Sequence, residues 1–556
     1  MTRRCAIAVL GLMLGALAAE EASGAEIHVP ADHATIGAAM IAAAPGDEIV
    51  VAPGTYSNGV QPLISSGLGQ GKDLVIRSSG GPEVTILDGL GTIRLVELYQ
   101  QESNAFVIEG FTLRNGVFAT NWGGAMLLWD ASPTVRNCIF EFNDAQYGGA
   151  VANYQGGNGV FEGCVFRDNT AALGGAINNH FSSPSFFDCV IEDNIATDES
   201  LYREGGGAAN RVGVMRYERC VIRGNEAQTG GGVHASFDTT IEMIDCVVEG
   251  NTTVTSRGGG VSATQGARIL AVNTRFLGNR SAQWGGGAYI QSSPQASFVN
   301  CEFSGNFNDR YTGAGVYASL DTVIEVRNST FVNNRAASST SGGFGAAQNC
   351  TVTIANSVFW GNTKLSGTTA EAADEIAQVS VSSPASFTID HSVVQGLTAL
   401  TGVGLSGADP LLADPLGVDG IEGTMDDDLR LSSASPAIDA GDNAMAGVDV
   451  FDLDGDGDSL ESIPFDLSGG ARFIDAAATA DTGAGGAPVI DLGAYEAASG
   501  APLCPTDLNG DGMTDGADLG LLLGSWNSAG ATDLNGDGVT DGADLGLLLG
   551  AWGGCV

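Results

Sequence analysis

The chain has 556 residues, with 82 Gly, 65 Asp+Glu against 23 Lys+Arg, and a formal net charge of −42. So acidic a surface repels phosphate backbones and anionic headgroups, which argues against nucleic acid as a partner. The charge is uneven: from Thr401 onward 25 Asp and 3 Glu face 2 Arg, a net of −26 that leaves −16 for the rest, and an Asp-rich end of this kind points to divalent cations.

In chain order, residues 1–25 read as an export signal. Arg3 and Arg4 form a basic start, Ala6 to Ala19 is an apolar run too short to cross a bilayer, and Ser23 and Ala25 precede a cut before Glu26. The arginine pair leaves the general and twin-Arg routes both open. No later run is long and apolar enough for a transmembrane anchor, so the mature chain is expected to be secreted or held at the cell surface. Residues 26–60 then read as a strand, an Ala-rich helix and a second strand ending at Pro53-Gly54.

The middle of the chain repeats. NCIFEFN ends at Asn143, and related phrases end at Asn169, Asn194, Asn225, Asn251, Asn279, Asn306, Asn334 and Asn362, at intervals of 26, 25, 31, 26, 28, 27, 28 and 28 residues. Gly-rich phrases alternate with them: WGGA at Trp122, YGGA at Tyr147, LGGA at Leu173, TGGGV at Thr229, RGGGV at Arg257 and WGGGA at Trp284. Such a period belongs to solenoids. About three short strands rich in β-branched residues and Phe fit in each copy, so roughly eleven coils at ~4.8 Å make a rod on the order of 50 Å long. Phe140, Phe166, Phe276, Phe303, Phe331 and Phe359 are expected to stack inward, and the Asn three positions on to satisfy backbone at a turn. Cys138, Cys164, Cys189, Cys220, Cys246 and Cys301 share one frame position with Thr274, Ser329 and Ser357. This column reads as buried thiols, with disulfides as the alternative, because side chains in register on adjacent coils point the same way.

The alternation of GGA[VI] with FxxN over Phe111 to Asn362 resembles the repeat of polymorphic outer-membrane proteins, within the right-handed parallel β-helix, pectin-lyase-like superfamily. The stretch from Ile27 to Tyr56 resembles that superfamily's N-terminal cap. The resemblance implies an all-β solenoid over residues 26–400 and a surface role as adhesin or passenger, but the C-terminal membrane barrel usual in that family has no counterpart after Gly500. Many members of the superfamily act on acidic polysaccharide. Here His28, His33, His180, His234 and His391 show no metal-ligand spacing, and the paired-Asp, Gly-His-Gly and Gln-Ala-Val motifs of the pectin-degrading enzymes are absent. Arg167 and Arg223 share a position with Glu141, Glu192 and Glu249, which reads as a charged outer strand face. Trp122, Trp129 and Trp284 form a possible sugar-stacking stripe or cap Gly turns. A rod that binds glycan or a surface protein is therefore expected first, a polysaccharide lyase or hydrolase with unknown catalytic residues second, and a structural adhesin third.

From Ala408 the period fails, and residues 401–500 read as an Asp-rich C-terminal cap. Within them, Asp452, Asp454, Asp456 and Asp458 alternate as oxygen ligands of a Ca2+ loop do. Residues 501–556 hold the phrase TDLNGDGMTDGADLGLLLGSW and, 26 residues on, its near copy. Asp507, Asn509, Asp511, Asp515 and Asp518 occupy Ca2+-loop positions 1, 3, 5, 9 and 12, with the Met513 carbonyl at position 7. Asp533, Asn535, Asp537, Val539, Asp541 and Asp544 repeat the set. Each loop leads into one helix with an apolar stripe, Leu519-Leu522-Leu523-Trp526 or Leu545-Leu548-Leu549-Trp552, and the stripes are expected to pack together. Loop plus single helix, duplicated, resembles a type I dockerin, a small all-α Ca2+ module. The resemblance implies Ca2+ as cofactor, a cohesin-type scaffold as partner, recognition through Gly516, Ala517, Gly542 and Ala543, and a clasp between Cys504 and Cys555.

Overall fold

The computed structural model describes residues 24–58, 62–69, 71–197, 203–337, 340–366, 370–476, 479–497, 506, 508, 513–526, 532, 534 and 539–554. Residues 1–23 of the export signal, with Cys504, Cys555, Asp507, Asn509, Asp511, Asp533, Asn535 and Asp537, lie outside them.

The repeat winds a parallel solenoid whose coils have four straight segments. One coil runs through Val151–Tyr154 on face 1, Val160–Glu162 on face 2, Val165–Arg167 on face 3 and Thr170–Leu173 on face 4. Each segment pairs in parallel with its counterpart in the next coil, such as Ile177–His180 and Val190–Glu192. Among the described residues faces 1 and 2 form one 24-stranded sheet, fused by the long strands Ala208–Glu218 and Val233–Ile244, while face 3 has 13 strands and face 4 has 11. Face 4 is the segment that a three-strand coil leaves out, because its strands are often two residues long and too brief for any alternation to show.

Two positions in each coil set its corners. The residue before the column Asn takes left-handed backbone, φ near +54° at Asp168 and Asp193, and so does the residue before the Cys column, at Asp188 and Asp245. Gly, Asn and Asp accept that conformation most readily, which is why they rotate through those places. After face 4, Gly149 lets the chain pass so close to the next coil that an added Cβ would stand 2.4 Å from the Gly175 carbonyl oxygen.

The inward columns are as expected. Phe140 stacks on Phe166 (4.9 Å), Phe276 on Phe303 (4.6 Å), Phe303 on Phe331 (4.5 Å) and Phe331 on Phe359 (4.7 Å). The Asn column is a continuous buried ladder. Asn251 Nδ2 donates to Asn279 Oδ1 (3.0 Å) and to the Ile222 carbonyl (2.8 Å), while its Oδ1 accepts from Asn225 Nδ2 (2.9 Å) and backbone N–H (3.0 Å). Gln378, on the short helix Glu375–Gln378, takes over after Asn362 through a 2.7 Å bond. Cys138, Cys164, Cys189, Cys220, Cys246, Cys301 and Cys350 are all free and buried, and burial pushes the Cys301 thiol up to about 12.

At the start, the helix Ile36–Ala42, capped by Thr35, buries Ile36, Ala39 and Met40 against the first coils. At the other end Leu397, Leu400 and Leu405 close over the core. Leu405 lies in residues 401–500, the segment expected as a cap; beyond it that segment turns back along the flank of the rod. Tyr495 Oη donates to Glu302 (2.6 Å), Ala494 N–H to Thr330 (2.9 Å), Asn356 to the Asp442 carbonyl (3.0 Å) and Asn333 to the Pro415 carbonyl (3.2 Å). Among the described residues no helix is long and apolar enough to cross a membrane.

Replacing Asn251 by Ala leaves a buried carbonyl and two donors unpaired, an expected cost of about 2–4 kcal/mol. Cys246→Ser, matching the Ser and Thr that hold its place in other coils, is expected to cost under about 1 kcal/mol. Urea midpoints of both variants, with thiol titration of the native protein showing no reaction at the column, check this pair.

Candidate functional site

On face 1 the first and third residues of each strand point into the core, so the second and fourth face outward. Parallel register then places Trp129, Tyr154, His180, Arg211 and Ser236 in one line, a coil apart. Tyr154 and His180 stack nearly parallel at 5.6 Å, and Trp129 meets Tyr154 edge-on at 5.5 Å. Trp122, from the end of face 4, lies 4.4 Å from Tyr147, 4.5 Å from Tyr154 and 5.3 Å from His180. Beneath this platform the fully buried Asn153, Asn179 and Asn210 form a second amide ladder, with bonds of 2.7 and 2.6 Å.

Further along the rod the aromatic line gives way to charge. Arg211 pairs with Glu204 (2.8 Å), and His234 Nε2 stands 3.6 Å from the same carboxylate. Glu204, His234 and Arg257 line a cavity of about 320 Å3, together with Gln228, Thr229 and Gln265. Arg257 donates to Tyr289 Oη (2.5 Å) and Gln291 (2.9 Å), with its guanidinium 4.9 Å above the Tyr289 ring. A second aromatic platform begins there: Trp284 stacks on Tyr311 at 4.2 Å, and Tyr289 on Tyr317 at 6.1 Å. Tyr289 and Tyr317 stand in the column of His234, two residues before the Trp129 line on each strand, and at ~4.8 Å per coil the stretch from the coil of Trp129 to that of Tyr317 is roughly 34 Å long.

Burial lowers the His234 pKa, Glu204 raises it, and Arg211 and Arg257 lower it further, so the net displacement is downward. Burial and then Arg211 lower that of His180. Both displacements favour the neutral imidazole, and among the described residues His234 Nδ1 is buried without a hydrogen-bond partner. Flat rings beside two guanidinium groups can take pyranose faces and pair with carboxylate or sulfate oxygens.

Of the residues the sequence singles out, Trp122 and Trp129 join the first platform and Trp284 the second, while His180 and His234 come onto the same face. Tyr154, Glu204, Arg211, Arg257 and Tyr289 are not evident from the sequence. The 31-residue interval before Asn225 marks the inserted stretch that delivers Glu204, but it hides the register needed to align it. The charged column on face 3 forms ion pairs between coils, Arg167 with Glu141 (2.7 Å) and Arg223 with Glu192 (2.6 Å).

Of the alternating acids in the flank segment, Asp452, Asp454 and Asp456 bring carboxylate oxygens within 4.8 Å of one another, and Asp458 is not in that group. In the tail, Asp515 and Asp541 cap the helices Gly516–Gly524 and Gly542–Gly550. Asp518 is fully buried and accepts from the Asp515 (2.8 Å) and Leu508 (2.7 Å) N–H groups; Asp544 is likewise buried and accepts from Asp541 N–H (2.7 Å). Gly516, Ala517, Gly542 and Ala543 are all exposed. The packing of two whole apolar stripes needs correction. Among the described residues of the two stripes only Leu522 and Leu548 are fully buried, while Leu523, Leu549, Trp526 and Trp552 stay exposed, because helices of nine residues are too short to cover the whole of each other's stripe.

A family model described as the right handed beta helix region matches residues 66–212 and 206–391, more than half of the chain. The crystal structure of pectate lyase Pel9A is similar at 14% identity and a TM-score of 0.30, covering 83% of this chain and 90% of that one. At that identity and score the likeness says nothing about activity. No curated protein matches.

The lowered pKa of His234 means that its contribution to stability is complete above about pH 6.5 and is lost as pH falls through the folded-state value. An NMR titration of the imidazole is expected to give a midpoint below the ordinary histidine value. A midpoint above it would show that Glu204 outweighs burial and the two arginines.

Proposed function

The chain belongs to the right-handed β-helix family, and on that premise we propose that it is an exported rod that binds acidic glycan along face 1 and is held in place by a Ca2+-dependent docking module at its end. The observation that carries the glycan reading is the pair of aromatic platforms that flank Arg211 and Arg257 along face 1 and the turns leading into it, in two adjacent outward columns. Rings at sugar-residue spacing offer stacking, and the guanidinium groups distinguish acidic from neutral chains. On a rod with this excess of negative charge, two arginines gathered beside a cavity favour an anionic ligand there.

The docking reading rests on the duplicated loops and their similarity to type I dockerins. Asp507, Asn509, Asp511, Met513, Asp515 and Asp518, with Asp533, Asn535, Asp537, Val539, Asp541 and Asp544, would hold two Ca2+ ions. The exposed Gly516-Ala517 and Gly542-Ala543 pairs, beside the uncovered Leu523, Leu549, Trp526 and Trp552, would meet a cohesin-type partner in either of two equivalent orientations.

A second reading, a polysaccharide lyase or hydrolase, is favoured by the meeting of Glu204, His234 and Arg257 in one cavity, with Arg211 paired to Glu204 beside it, where a carboxylate beside an imidazole can move a proton while a guanidinium group holds a substrate carboxylate.

Tyr154→Ala and Trp284→Ala are each expected to weaken binding to acidic oligosaccharides about tenfold, read by calorimetry against neutral ones. Reproducible turnover that Glu204→Ala abolishes while binding persists would replace the first reading with the second, and absence of any glycan affinity would leave a structural surface role. Separately, Asp518→Ala/Asp544→Ala in the full chain is expected to lose Ca2+-dependent capture by immobilised cohesin modules. Capture that survives chelation would remove the docking reading.

A further inference from the structure

A different group of acids lies in the segment that runs along the flank. The Asp439 N–H donates to Asp491 Oδ1 (2.7 Å), and its carbonyl accepts from the N–H groups of Thr482 (2.9 Å) and Gly483 (3.0 Å). These bonds fix Asp439 against the last part of the segment. Its side chain is fully buried, yet among the described residues neither carboxylate oxygen has a hydrogen-bond partner of good geometry, the Ala476 amide being the nearest donor to act on it. Oxygens of Asp475 and Asp481, two exposed residues, come within 4.8 Å of it and of each other.

Three carboxylates so placed repel one another, and an orphaned buried carboxylate is among the least tolerated groups in a protein interior. The buried guanidinium of Arg472 does not answer it: Arg472 stands 3.1 Å from Glu496 and donates through Nη2 to the Asp491 and Gly493 carbonyls at 2.9 Å, its Nη1 has no hydrogen-bond partner among the described residues, and it is not among the charges that act on Asp439. Asp491, Glu496 and Asp466 add further buried acids around that one cation. Burial raises the Asp439 pKa, the nearby Ala476 amide lowers it in part, and the charges of Asp481 and Asp475 raise it again.

We propose that Asp439, Asp475 and Asp481 form a Ca2+ site that ties the two exposed aspartates to the buried one and so fastens the flank segment to itself. Three hard oxygen donors, two of them open to solvent, leave room for the waters that complete a six- to eight-fold Ca2+ shell. The group differs from Asp452, Asp454 and Asp456, which are solvent-facing and include no fully buried carboxylate; there Asp452 and Asp454 already accept backbone N–H bonds from Gly457 and Asp456. The inference is independent of the docking module.

The test uses the full chain, freed of metal and titrated with calcium chloride in a calorimeter. Relative to the wild type, Asp439→Asn and the double variant Asp475→Asn/Asp481→Asn are each expected to lose one bound Ca2+, or to bind it at least about tenfold more weakly, and to lose part of the rise in thermal midpoint that Ca2+ confers. Asp518→Ala/Asp544→Ala should keep that site. The double variant changes only exposed side chains, so it remains decisive if Asp439→Asn does not fold. Wild-type stoichiometry and affinity in the double variant would overturn the proposal.

Discussion

The structure depends on each coil's satisfying its polar groups through the coils on either side. The parallel strands of a coil find their ladder partners in the coils on either side, and at its corner the buried Asn amide does the same, spending one donor on the next amide and the other on a carbonyl of the coil before. Nine successive rungs of one column, from Asn143 to Asn362, therefore fix both the spacing and the register of the stack. A coil shifted by one residue would bury a lone amide and turn Phe303 outward from between Phe276 and Phe331. The same need explains the ends, where Gln378 takes over the ladder from Asn362, and a helix and a leucine-bearing turn cover the first and last coils.

Strict register has an outward result as well. What sets Phe140 over Phe166 inside the rod also sets Tyr154 over His180 outside it, so side chains far apart in sequence form a straight line without any loop to arrange them. The solenoid thus provides a rigid, linear face whose chemistry changes by single substitutions at outward positions. On this face the order is aromatic, charged, aromatic, with the cavity at the coil that receives the inserted stretch before Glu204.

The fold is legible in the sequence because its determinants recur. Phe, Asn, Gly and Cys each return to one frame position, and the inward role of each follows from burial and hydrogen bonding alone. The outward line is not legible, because Trp129, Tyr154, His180, Arg211 and Ser236 have nothing in common as residue types and only register unites them. The three tryptophans stand out by rarity, whereas Glu204 and Arg257 look like ordinary solvated charges until Arg211, His234 and Tyr289 are set beside them. The Asp439 group is hidden for the same reason: its members are separated by the stretch in which Arg472 and the Asp452 loop also lie, and no spacing rule connects them. The flank segment itself has no period, so its course along the rod follows from particular contacts such as Tyr495 with Glu302.

That course has a mechanical consequence. The last part of the flank segment meets the coils of Glu302 and Thr330 through Tyr495 and Ala494, well short of the last coil. Tension drawn through the C-terminal residues therefore enters the solenoid sideways and is shared among bonds to Glu302, Thr330, Asn333 and Asn356, which must yield in shear. The terminal coil, which a pull from the end would peel away one strand at a time, carries little of the load.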